Sequence, residues 1–79
     1  MSPTVFTHGS YRFFFFSREE PRLHVHVSSP SGEAKFWIEP IIALASAHGL
    51  TKRQVGLLQK LVEQHEKEIR TAWITHFKA

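Results

Sequence analysis

The chain has 79 residues, a formal net charge of +3, six histidines and no cysteine. This is enough for a single domain over residues 1–79, burying only about 60% of its unfolded surface, so a second chain or a ligand would add to a thin stability margin. Disulfides and thiolate metal sites are excluded; no apolar run nears the ~18 residues of a membrane span, and Met1-Ser2-Pro3-Thr4 lacks the basic start and apolar run of a signal peptide, so a cytoplasmic protein is expected.

In chain order, Thr4-Val5-Phe6-Thr7 is a short β-prone run, and Gly9-Ser10 is a hairpin turn signal. Tyr11-Arg12-Phe13-Phe14-Phe15-Phe16-Ser17 reads as a second strand, apolar on both faces and therefore expected to be covered on both. Arg18 to Arg22 is a polar loop in which Pro21 biases Glu20 towards an extended backbone. Leu23-His24-Val25-His26-Val27 alternates strictly, as a half-buried strand does. Val25 and Val27 point to one side, and His24 and His26 to the other. Ser28-Ser29-Pro30-Ser31-Gly32 is a loop. A fourth strand, Glu33 to Ile38, carries Ala34, Phe36 and Ile38 on one face and Glu33, Lys35 and Trp37 on the other.

Glu39-Pro40 changes the period. Proline suits the first helical position, and Ile41, Leu44, Ala45 and His48 follow helical spacing, so a short helix is expected up to Gly49. Thr51 and Gln54 have the spacing of a capping box, and Leu50 and Val55 that of a hydrophobic staple. The apolar stripe Val55, Leu58, Val62, His65, Ile69, Trp73, Phe77 predicts one helix from Thr51 to Phe77, roughly 40 Å long. Strands of this length span only about 17–24 Å. Ile69, Trp73 and Phe77 are then expected to overhang the sheet and to need another surface. The fold class expected is α+β: a small, mostly antiparallel sheet of three or four strands, then a short helix and a long C-terminal one.

Four pieces together resemble a known family of bacterial proteins, domain of unknown function 4160. They are Gly9-Ser10-Tyr11-Arg12-Phe13-Phe14-Phe15-Phe16-Ser17, His24-Val25-His26-Val27, Glu33-Ala34-Lys35-Phe36-Trp37-Ile38-Glu39-Pro40 and Ala72-Trp73. Two positions depart from the family pattern: Arg22-Leu23 stands where a Pro-Pro pair is common, and Glu39 where Asp is common. The resemblance implies a small sheet followed by helices. It also implies a place in a two-gene module of the toxin–antitoxin type, with a small partner protein from the same module.

The chemistry centres on His24 and His26. Imidazole titrates near neutral pH, so one histidine could take a proton from an RNA substrate while the other gives one. Arg12 and Lys35 have the parity to share that face and to hold phosphate charge. This makes His24, His26, Arg12 and Lys35 the candidate catalytic set, with no cofactor. Aromatic Phe14, Phe16 and Trp37 beside those cations could stack on unpaired bases, or could pack within the domain or a dimer. The alternative is metal binding. Imidazoles suit zinc, nickel or copper, but a third ligand such as Glu33 is needed. A third reading is an oligomerisation module with no catalytic site. Whether the chain is an enzyme stays open at this level. A homodimer or an obligate complex is expected, burying Phe14, Phe16 or Trp37 or the Ile69–Phe77 stripe. The whole +3 lies in residues 41–79, which weakly favours an acidic partner or RNA; a solvated basic helix face is the commoner explanation. His65 reads as a satisfied core histidine.

Overall fold

The structure, a computed structural model, describes residues 4–16 and 21–77. Five strands come first: β1 (Thr4–His8), β2 (Tyr11–Phe14), β3 (His24–Ser28), β4 (Glu33–Trp37) and β5 (Ala43–His48). Two helices follow, α1 (Lys52–Gln64) and α2 (Glu66–His76). Each strand pairs antiparallel with the next, so the order across the sheet is the order in sequence. The α+β class and the antiparallel sheet agree with the sequence reading. Ser17 and the Arg18–Glu20 part of the expected loop lie outside the described residues, as does Met1–Pro3.

Local chemistry explains most of these elements. Gly9 takes φ +59° at the first position of the two-residue loop between His8 and Tyr11, the backbone region a type II′ hairpin turn requires. The β3–β4 loop closes on itself, with the Ser29 N–H donating to the Gly32 carbonyl at 2.9 Å. The α1 capping box is complete. Gln54 N–H donates to Thr51 Oγ1 at 3.1 Å, and Thr51 N–H donates to Gln54 Oε1 at 2.8 Å. Leu50 and Val55 both pack on the core, as the staple requires.

The helices lie on the valine side of the sheet. Phe13, Val25, Val27, Ala34, Phe36 and Ile38 meet Leu58, Leu61, Val62 and Ile69 in one buried cluster. Each fully buried Phe, Val, Ile or Leu among them contributes roughly 1.5–3 kcal/mol. No helix among the described residues is long and apolar enough to cross a membrane.

Three expectations are corrected. Residues 43–48 form a strand, not a short helix, so the sheet has five strands rather than three or four. The Glu39–Pro40 peptide is cis. Helix propensity in an alanine-containing hexamer is a weak preference, whereas the outer edge of β4 offers a ladder of backbone partners and Ala47 gains contact with the core. The helical spacing seen in sequence arises partly because β5 is not regular: a bulge shifts the register between Lys35 and Phe36. Gly49 does adopt the left-handed region, at φ +75°, but it ends a strand.

The long helix is also broken, at His65. The His65 N–H is shared between the Leu61 and Val62 carbonyls, and its ring Nδ1 lies 2.8 Å from the Leu61 oxygen. A carbonyl only accepts, so Nδ1 carries the proton. The ring stacks on Phe6 of β1, 3.9 Å between centroids. His65 is thus a bonded, packed histidine, as expected, and the C-terminal stripe packs on its own domain rather than overhanging it. Ile69 is fully buried, and Trp73 and Phe77 pack against the same cluster. Arg70 ties α2 to the β4–β5 loop through Glu39 at 2.7 Å and to its own helix through Glu66 at 2.8 Å. Hydrogen bonds to Glu39 and then Glu66 raise the pKa of this guanidinium, yet such part-exposed pairs contribute only about 0–1 kcal/mol.

Candidate nucleic-acid interface

Strand parity and register assemble the face opposite the valines. One row across the sheet is Thr4, Phe14, His26, Lys35, Ser46. A second is Thr7, Arg12, Ser28, Glu33, His48. A third is His24, Trp37, Ala43. All four candidate residues, Arg12, His24, His26 and Lys35, therefore belong to one face, as their parity predicts.

Their surroundings differ. His24 has no exposed surface. Its ring is enclosed edge-on by His26 at 5.0 Å, Trp37 at 5.6 Å and Trp73 of α2 at 5.3 Å. Its Nδ1 lies 2.6 Å from the Arg22 carbonyl, so that nitrogen is the protonated one. His26 is half-buried, stacked on Phe14 at 5.6 Å and edge-on to Phe16 at 4.4 Å. The two imidazoles are neighbours, but only His26 reaches the surface.

Around them cations and aromatic rings alternate. The Arg12 guanidinium stands 4.5 Å from the Phe14 ring centre, and its Nε donates to Thr4 Oγ1 at 2.7 Å. Arg22 and Lys35 both lie over Trp37, at 3.9 and 4.3 Å. Arg22 also donates from Nε to the Glu39 carbonyl at 2.8 Å, which joins this face to the loop that holds Arg70. Each cation–π contact contributes about 0.5–2 kcal/mol depending on desolvation. A shallow depression of about 340 Å³ lies between Phe14, Phe16, His26, Glu33, Lys35, Ser46 and His48. Phe16 is 46% exposed on its rim.

Arg22, Ser46 and His48 were missed in sequence. Arg22 shares the parity of His24 and His26, which was a usable signal. Ser46 and His48 also alternate, but the helical reading of that segment hid it. For metal, no three His, Asp or Glu side chains among the described residues come together in a way that could hold an ion.

Neither the curated proteins nor the solved structures contain a match to this chain. The sequence model of one family, described as "Domain of unknown function (DUF4160)", matches residues 10–74, which span β2 to α2 and the whole of this face except β1, and the chain belongs to that family.

Proposed function

We propose that the chain is an interaction protein that binds single-stranded RNA on its open sheet face, by stacking and charge and without cleaving it. The observation that carries this is the register. It sets Phe14 and Trp37 among Arg12, Lys35 and His26 on the face opposite the valines, where Phe16 lies against His26, Arg22 lies over Trp37, and the helices reach only His24, through Trp73. Unpaired bases stack on exposed rings in any sequence, a role open to Phe16 at 46% exposure and to the part-exposed Trp37, with Phe14 buried beneath them, and cations track the phosphates. A duplex hides its base faces and would gain only the charge term.

Binding is favoured over cleavage by the burial of His24. Proton exchange by a histidine pair needs both imidazoles within hydrogen-bond reach of the substrate, and Trp37 and Trp73 stand over one of them. The setting implied by the family resemblance is a cytoplasmic two-gene module of the toxin–antitoxin type, in which this chain would act with a small partner protein.

The test is fluorescence anisotropy with a labelled, unstructured uridine-rich oligomer. Wild type should bind, more weakly as salt rises and more weakly to a duplex of the same length. Phe16→Ala should lose roughly 1–3 kcal/mol of binding. No binding at millimolar protein, or equal binding by Phe16→Ala and wild type, would sink the proposal. Loss of intact oligomer during incubation would restore the catalytic reading.

A further inference from the structure

We infer that β5 is an interface between two copies of this chain, which join edge to edge into one ten-stranded antiparallel sheet. This stands apart from the RNA reading: it rests on the outer edge of β5 and on α1, not on the rings and cations of the open face.

β5 is the last strand of the sheet, and no described strand pairs with its outer edge. Sheet edges are normally blunted by charge or proline, because a row of N–H and C=O groups invites another strand. The bulge opposite Lys35 and Phe36 is the one such device here; Ala43-Leu44-Ala45-Ser46-Ala47-His48 contains no lysine, arginine, aspartate, glutamate or proline. Leu44 is 42% exposed, and Ile41, just before the strand, is 70% exposed. A strand without lysine, arginine, aspartate or glutamate sets none of those charges against its like when it meets itself antiparallel.

The helix layer singles out a second copy over an unrelated strand. α1 packs on both β4 and β5. It begins just after β5 and ends near the β4–β5 loop, where Glu63 and Ile41 line the same groove. It therefore runs antiparallel to β5. A two-fold axis through a β5–β5 pair lies perpendicular to the sheet, so both helix layers fall on one side and the two α1 helices lie side by side, antiparallel. Strands about 4.8 Å apart would place α1 axes centred between β4 and β5 roughly 10 Å from each other, within the range of packed helices. Lys52 and Arg53 at the start of one α1 then oppose Glu63 at the end of the other, and exposed Leu57 lies near the middle of both. Charge and apolar surface both match under the same rotation.

Sedimentation or light scattering of the intact chain should give twice its 9.1 kDa mass. Leu44→Lys, at an exposed position, should leave the melting temperature near that of wild type and weaken the dimer by about tenfold or more. The absence of native cysteine allows a sharper measurement. Ala45→Cys on β5 should cross-link rapidly with a short bifunctional thiol reagent, whereas Thr7→Cys on the opposite edge strand should not. A wild-type monomer at millimolar concentration overturns the inference. So does a dimer that cross-links no faster through Ala45→Cys than through Thr7→Cys.

Discussion

Trp73, from α2, meets the ring of His24, from β3, at 5.3 Å and 63°, although α2 packs on the valine side of the sheet and the parity of His24 is that of the other face. The same indole stands edge-on to Phe15 at 5.2 Å. Trp73 thus wraps the end of the sheet and takes His24 out of solvent. Two histidines separated by one residue become different in kind: His24 is packing, and His26 is half-buried at the surface.

Replacing them should separate these roles. His24→Ala removes a fully buried ring with a 2.6 Å hydrogen bond and should cost about 2–4 kcal/mol of stability. His26→Ala should cost under about 1 kcal/mol, as most substitutions of part-exposed groups do. Urea unfolding of both variants decides it; equal losses would mean that the burial of His24 contributes nothing special.

Trp73→Ala should destabilise by about 3–5 kcal/mol, the usual cost of deleting a large packed aromatic. It should also expose His24. Imidazole proton resonances followed by NMR would show His24 exchanging with solvent in this variant and protected in wild type. Trp73→Phe should restore most of the protection.

Two glycines sit where backbones touch. A Cβ on Gly32 would collide with the His48 carbonyl, and one on Gly49 with the Ser31 carbonyl. Gly49→Ala is strained twice, because its φ is +75°, and should cost more than about 1 kcal/mol. Gly56 is the control: helical, with nothing within 4 Å of a built Cβ, so Gly56→Ala should stabilise by about 1 kcal/mol. Thermal melts of the three alanine variants test the contrast.

Lys35→Ala should weaken RNA binding across all single-stranded sequences alike and lower the salt slope by about one counterion. Titrations at several salt concentrations, wild type beside variant, measure that slope. An unchanged slope would place the phosphate path away from β4.

What was legible in the sequence was what neighbours along the chain determine. The turn at Gly9, the opposite faces of Val25 and His26, the core parity of Ala34, Phe36 and Ile38, and the Thr51–Gln54 capping box all depend on contacts within a few residues. The shared face of Arg12, His24, His26 and Lys35 was also implicit, since antiparallel neighbours in chain order leave little freedom of register once the valines face the core. Tertiary structure alone decided the rest. Ala43–His48 became a strand because the edge of β4 and the core under Ala47 outweigh a weak local preference. The helix broke at His65, where the ring has Phe6 to stack on. Trp73, from α2, reaches His24, and so a residue read in sequence as half of a surface pair is buried. Periodicity states which side a residue faces; only the partners that arrive from distant positions determine whether that side is open.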